Sequence, residues 1–193
     1  LFWYKSQKVD KKTLRKHYSD LRAKLSSQEM DSMSLAIANR LIELPIWKAQ
    51  YYHLFLPIEQ KNEINTEYIL SIIQGKDKEV LVPKVVGAEL KHYLLLDSTS
   101  LVVNKWGIPE PVDGIEIDPK KMDVVFVPLL AFDQQGHRIG YGKGMYDGFL
   151  AQCRDDVLKI GLSFFDAEEK FAEVFSSDIP LNYCITPDRI YKF

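Results

Sequence analysis

Apolar residues recur along this chain with two different spacings. Between residues 10 and 25, Leu14, Tyr18, Leu21 and Leu25 repeat every three or four positions, which predicts a helix with a single apolar stripe. Ser26 stands three residues before Glu29, the spacing of a capping box, and opens a second helix that runs to about Leu44, where Pro45 stops it. Met30, Met33, Ile37 and Leu41 share one face of that helix and read as core. Tyr51–Pro57 reads as a strand, and a third helix is expected from about Asn65 to Gln74, with Gly75 as its C′ residue. Val80–Val86 and Leu90–Leu96 predict two strands joined by a turn at Gly87-Ala88-Glu89. Residues 97–122 carry Gly107, Pro109, Pro111, Gly114 and Pro119 and read as irregular. Val124–Phe132 is an almost continuous apolar run, the pattern of a strand buried on both faces. A helix from about Met145 to Cys153, a strand Lys159–Phe165, and short strands at Cys184-Ile185 and Ile190-Tyr191 complete the reading.

Helices alternating with buried strands predict an α/β chain. The expected form is a single domain over residues 1–193, a mainly parallel sheet with helices on both faces in a three-layer, Rossmann-like arrangement. Ligands of such sheets bind beyond the carboxyl ends of the strands. Residues 58–64, 133–144 and 165–178 are therefore the candidate loops.

Composition changes this picture little. With 193 residues, 46% hydrophobic and 27% charged, the chain can bury a full core and lacks the signature of disorder. Twenty-five Lys and Arg against 27 Asp and Glu give a net charge of -2, so bulk attraction to nucleic acid or anionic lipid is not expected. Two cysteines, Cys153 and Cys184, without metal-ligand spacing imply neither a zinc site nor a disulfide framework, and a reducing, cytoplasmic setting is expected. No apolar run reaches the ~18 residues of a membrane span. Leu1-Phe2-Trp3-Tyr4 is too short for a signal-peptide core. The chain does not begin with Met, and residues 1–9 are expected to form a disordered or tag-like lead. Small molecules are the expected partners, with the protein a monomer or weak homo-oligomer.

Chemistry concentrates in Asp133-Gln-Gln-Gly136-His-Arg138-Ile-Gly140-Tyr-Gly142-Lys143-Gly144-Met145-Tyr146-Asp147, which holds four of the ten glycines. Such density needs a geometric reason. Backbone N–H groups approaching a phosphate just before a helix start would be one, with Arg138 and Lys143 adding charge-assisted hydrogen bonds. A flexible surface loop is the other reading. The loop is not a Walker A motif, since Gly144 rather than Ser or Thr follows Lys143, and the glycines at 140, 142 and 144 do not have the dinucleotide-binding spacing. Asp147 suits either a Mg²⁺ ligand beside a phosphate or the first turn of a helix, where a carboxylate complements the dipole. Lys11, Lys12, Arg15 and Lys16 at the start of the first helix suit either a solvated basic face or an anion site.

Several of these segments stand in one order: Lys11-Lys-Thr-Leu-Arg15, Phe55-Leu-Pro, Glu63-Ile-Asn-Thr, Trp106-Gly-Ile-Pro-Glu-Pro111, and Val127-Pro followed by Ala-Phe-Asp133 and Gly-His-Arg-Ile-Gly-Tyr-Gly-Lys-Gly-Met-Tyr-Asp147. In this the chain resembles the 5-formyltetrahydrofolate cyclo-ligases, also called 5,10-methenyltetrahydrofolate synthetases, over about residues 10–190. The resemblance implies ATP- and Mg²⁺-dependent ring closure of 5-formyltetrahydrofolate. It implies that Lys11 and Arg15 contact ATP together with Arg138, Ile139, Gly140, Tyr141, Gly142, Lys143, Gly144, Met145 and Tyr146. Of these, Tyr141, Gly142, Lys143, Gly144 and Met145 would also face folate, beside Leu56, Glu63 and Trp106. Lys143, Arg138 and Tyr146 would be catalytic, and Asp147 and Asp178 would hold the metal. The chain departs from the family pattern in having Met145 before Tyr146 and Gly148 after Asp147. A non-catalytic folate- or nucleotide-binding protein, and a sugar-phosphate or CoA-ester enzyme on a similar sheet, are the alternatives. The sugar-phosphate alternative gives no joint role to Lys11, Arg15 and Trp106.

Overall fold

A computed structural model describes residues 9–193. Residues 1–8, most of the expected tag-like lead, lie outside the described residues. A seven-stranded sheet runs through the molecule, built from β1 (Tyr51–His53), β2 (Glu79–Val86), β3 (Glu89–Leu94), β6 (Val124–Pro128), β9 (Leu158–Leu162), β10 (Tyr183–Ile185) and β11 (Ile190–Lys192). The spatial order is β11-β10-β9-β6-β1-β2-β3. The five inner strands are parallel and the two edge strands antiparallel to their neighbours. Two small antiparallel ribbons stand outside the sheet, β4 (Leu101–Val103) with β5 (Pro109–Pro111) and β7 (Ala131–Phe132) with β8 (Arg138–Ile139).

Helices cover both faces, as the alternation predicted. Along β6, Val124 and Phe126 face one layer, where Ile37 and Leu41 of α2 (Ser27–Leu41) and Ile69 and Ile73 of α3 (Glu67–Gln74) complete the core. Val125 and Val127 face the other layer, against Phe149 and Leu150 of α4 (Met145–Leu150). This period of two is why the run is apolar throughout. The first helix, α1 (Lys11–Arg22), packs Leu14 and Tyr18 on the β7–β8 ribbon with Leu130, Ala131, Ile139 and Phe171. Ser26 and Glu29 form the full capping box. No helix among the described residues is long and apolar enough to cross a membrane, and Cys153 and Cys184 are both free.

Of the boundaries that differ from the sequence reading, three lie where chain is diverted toward the cleft. The expected strand Tyr51–Pro57 ends at His53, and the following residues swing Phe55 and Leu56 out to line a cavity. The run Val124–Phe132 leaves the sheet after Pro128, whose nitrogen cannot donate to a ladder, and re-pairs at Ala131–Phe132 with Arg138–Ile139. The span 97–122 is not wholly irregular, because β4 and β5 form a ribbon that presents the Trp106 turn. At the end of α3, Gly75 is a right-handed C-cap (φ -64°) rather than a left-handed C′ residue, and Asp77 takes the positive φ of 54°.

Candidate active site

Loops beyond the carboxyl ends of β1 and β6 enclose a cleft of ≈ 810 Å³ with α1, the β4–β5 ribbon and the segment before β10. All three candidate loops contribute to it. Of the residues singled out from the sequence, Lys11, Arg15, Leu56, Glu63, Trp106, Arg138, Gly140 through Asp147, and Asp178 line it.

One side of the cleft is a set of ion pairs. Asp10 caps α1 by accepting from the Thr13 N–H at 2.7 Å, which fixes where Lys11 and Arg15 leave the helix. Lys11 Nζ donates to Asp178 Oδ2 at 2.5 Å and lies 4.3 Å from the Phe175 ring centroid. Burial would raise the Asp178 carboxyl pKa, but hydrogen bonds from Lys11 and the Phe175 N–H outweigh it and hold it below its ordinary value. Arg138 donates to Asp147 Oδ1 at 2.6 Å and to the Ile179 carbonyl. The Ile179 N–H donates to the same Asp147 oxygen at 3.0 Å, so residues 178 and 179 tie both acids to one wall.

The glycine loop wraps around Arg15. Arg15 Nε donates to the Gly140 carbonyl at 3.0 Å. At Gly142, φ is 86°, a conformation that favours glycine, and an added Cβ would stand 3.2 Å from the Arg15 guanidinium carbon. Gly144, at φ 66°, turns the chain into α4. Lys143 is exposed, its Nζ 5.0 Å from the Trp106 ring centroid, with Lys105 at 4.6 Å from the same ring.

The other side carries Glu63 among aromatic and apolar walls. Glu63 Oε1 accepts from the Tyr141 hydroxyl at 2.5 Å, and Oε2 accepts from the Ile58 N–H at 2.8 Å. Burial and the Glu63 charge push the Tyr141 hydroxyl pKa well above its ordinary value, so the phenol keeps its proton. Lys61 Nζ lies 4.0 Å from the Tyr141 ring centroid. Leu56 and Met145 complete this wall, and Met145 faces the cleft rather than packing wholly beneath α4.

One candidate falls elsewhere. Ile139 is 1% exposed, packs in the α1 cluster and uses its carbonyl to accept from the Leu130 N–H; its side chain does not reach the cleft. The reason is the β7–β8 ribbon, whose alternation sends Arg138 toward the cleft and Ile139 inward. Tyr146 lines the cleft with its ring, but its hydroxyl is buried without a hydrogen-bond partner among the described residues, and the ring stands edge-on to His53 at 5.8 Å.

Asp147 and Asp178 are the acids that could hold a metal. No group of three or more His, Cys, Asp or Glu side chains among the described residues forms a protein-only cage. Mg²⁺ needs none: one or two carboxylates with phosphate oxygens and water suffice. The donor set fits that mode.

Three features escaped the sequence. Arg22 is 4% exposed and ends α1; its guanidinium reaches Tyr141. The signal was present, since Lys11, Arg15 and Arg22 stand at i, i+4 and i+11, on one helix face. Glu110, 9% exposed, accepts from the Val85 N–H at 2.8 Å and fastens the ribbon to β2. His53 and His92 are both buried behind Tyr146, 5.1 Å between ring centroids, with no hydrogen-bond partner for any ring nitrogen among the described residues. No local pattern marks that pairing, because β1 and β3 meet only through β2.

Comparison with known proteins adds a family. The profile described as "5-formyltetrahydrofolate cyclo-ligase family" matches residues 7–169. A Schizosaccharomyces pombe protein named "Probable 5-formyltetrahydrofolate cyclo-ligase" is 31% identical, over 94% of this chain and 87% of that one. The Mycoplasma genitalium "5-formyltetrahydrofolate cyclo-ligase" is 30% identical over 91% of this chain and 94% of its own length. The solution structure of Aquifex aeolicus 5,10-methenyltetrahydrofolate synthetase superposes with a TM-score of 0.82 at 33% identity, covering 94% of this chain and 92% of that one.

Proposed function

The chain belongs to the 5-formyltetrahydrofolate cyclo-ligase family, and from that premise we propose that it closes 5-formyltetrahydrofolate to 5,10-methenyltetrahydrofolate at the expense of ATP, releasing ADP and phosphate. The observation that carries the reading is the two-sided cleft. Ion-paired Lys11, Arg138, Asp147 and Asp178 stand on one side, and Glu63 among Leu56, Met145 and Tyr141 on the other. A triphosphate and a flat heterocycle with a polar edge need those two environments side by side.

The chemistry follows from a poor leaving group. The formyl oxygen on N5 attacks the γ-phosphorus and ADP departs, which converts that oxygen into a phosphate ester. N10 then attacks the formyl carbon and loses its proton, and phosphate leaves with the former formyl oxygen. Such transfers need positioning and charge neutralisation more than covalent help. Lys11, Arg15, Arg138 and Lys143 supply positive charge around the glycine loop, and Lys143, exposed at its tip, is placed to follow the transferring phosphoryl group. Mg²⁺, if bound, would neutralise phosphate charge from Asp147 and Asp178. Glu63, both oxygens already engaged by the protein, presents a fixed acceptor to the pterin side. Trp106 offers an exposed ring face over which flat substrate can lie.

The decisive experiment mixes protein, Mg²⁺, ATP and 5-formyltetrahydrofolate and follows the near-ultraviolet absorption of the methenyl product. ADP and methenyl product are expected one-to-one. Product without nucleotide, or no product with any nucleotide, would overturn the proposal.

A further inference from the structure

Outside the cleft lining, one buried cation touches the site from behind. Arg22 donates through one terminal nitrogen to the Tyr141 hydroxyl at 2.9 Å and through the other to the Leu129 carbonyl at 2.6 Å. Its own carbonyl accepts from the Asn62 amide at 3.1 Å. Asn62 sits next to Glu63 and holds a left-handed conformation, φ 49°. One residue at the end of α1 thus fastens the glycine loop, the chain after β6 and the Glu63 loop.

The direction of the hydrogen bonds matters more than their number. A guanidinium only donates. With Arg22 occupying a lone pair of the Tyr141 oxygen, the phenol's single proton is left for Glu63, which accepts it at 2.5 Å. Had Tyr141 faced a carbonyl instead, its proton could have turned away and Glu63 would have lost a donor. The Ile58 N–H fills the other carboxylate oxygen. Arg22 is therefore built to keep Glu63 in one orientation without touching the cleft itself.

We propose that Arg22 is a positioning residue for the folate side of the site, acting through Tyr141 on Glu63. This rests on the cyclo-ligase reading, in which Glu63 contacts the 5-formyl substrate. A merely structural Arg22 would tie α1 to Leu129 and affect both substrates alike, because α1 also carries Lys11 and Arg15. A positioning Arg22 affects the folate side selectively, and only while the Tyr141 hydroxyl is present.

The test is a double-mutant cycle on the full chain with Arg22→Met, Tyr141→Phe and both together, read as KM for each substrate, kcat and melting temperature. Each single change should raise KM for 5-formyltetrahydrofolate about tenfold, the scale for a lost hydrogen bond involving a charged group, with KM for ATP within twofold. The double variant should be no worse than the weaker-binding single one, because both remove the same relay. Additive effects, parallel changes in both Michaelis constants, or an unchanged folate KM in Tyr141→Phe would overturn the inference. If Arg22→Met does not fold, Arg22→Lys takes its place. It keeps the charge, but its point-like ammonium does not reproduce the fork that serves Tyr141 and Leu129, and its folate KM should rise with ATP KM unchanged. A parent protein that turns over no 5-formyltetrahydrofolate would count against the cyclo-ligase reading itself, which separates that failure from this one.

Discussion

Asp178 and Asp147 on one side of the cleft, and Glu63 on the other, are all carboxylates held within the same cavity. The first two are each paired with a cation, Lys11 and Arg138. Glu63 is held by neutral donors, a phenol and a backbone N–H. An ion pair is an arrangement that incoming charges can replace: phosphate oxygens can take the cations while a metal takes the acids, and no charge is left bare. A carboxylate held by neutral donors has no such substitute and keeps its place. On the proposed reading, the nucleotide side is built to exchange partners and the folate side to stay fixed.

Lys143 tests this contrast most severely, since it has no ion pair among the described residues and lies only near Trp106. Lys143→Ala should lower kcat by roughly 10²–10³, the scale for losing one preorganised donor to developing charge. Steady-state kinetics with kcat within threefold of the parent would make Lys143 a solvated surface charge.

The next effect concerns the packing behind the cleft. Burial lowers the pKa of His92 to about 4 against a weaker opposing pull from Glu116, and burial together with the neighbouring His92 holds that of His53 well below its ordinary value. Both folded values lie below the unfolded one near 6.5, so the unfolded chain binds more protons and stability falls as pH drops from about 6.5 toward 4. The loss should be roughly 3 kcal/mol from His92 alone. Denaturant titrations of the parent and of His92→Phe across this range check it, and the variant should show a shallower fall.

Asp147→Asn keeps the shape but removes the charge that a metal would use. The Mg²⁺ concentration for half-maximal rate should rise about tenfold, with partial rescue by excess metal. A Mg²⁺ titration identical to that of the parent would leave Asp147 as the partner of Arg138 and nothing more.

The smallest effect belongs to the fixed side. Met145 faces the cleft, so Met145→Tyr should lower KM for 5-formyltetrahydrofolate by roughly threefold, because a Tyr with two torsions loses less freedom on ordering. KM for ATP should not change. A depressed melting temperature with no gain in folate KM would mean the ring is overpacking the start of α4.

The layers of the fold were legible because they depend on period alone. The stripe of α1, the capping box of α2 and the two-faced apolar run of β6 each state their own environment. The places where that reading failed share a cause. Phe55, Leu129 and Leu130 are as apolar as strand residues and are buried too, yet they stand outside the seven-stranded sheet, and Phe55 lines the cleft. Burial could be read from the sequence; ladder membership could not. The same limit applies to the site. Lys11, Arg15 and the glycine loop were visible as a motif, whereas the packing of Tyr146 edge-on to His53, with its hydroxyl buried and unpartnered among the described residues, was not. Arg22 looked like an ordinary cation at a helix end until Tyr141, 119 positions away, was brought beside it.

The pairing of acids with bases also bears on how fast a nucleotide can arrive. Lys11, Arg15, Lys61, Arg138 and Lys143 stand against Glu63, Glu110, Asp147 and Asp178 among the described residues of the cleft, five positive charges to four negative. Taken over the lining alone, these charges nearly offset one another. The lining by itself therefore adds little to the long-range attraction that other clefts use to gather charged ligands, worth roughly 10–10³ in capture rate. On the proposed reading, a polyanion gains most where it can displace Asp178 and Asp147 from Lys11 and Arg138.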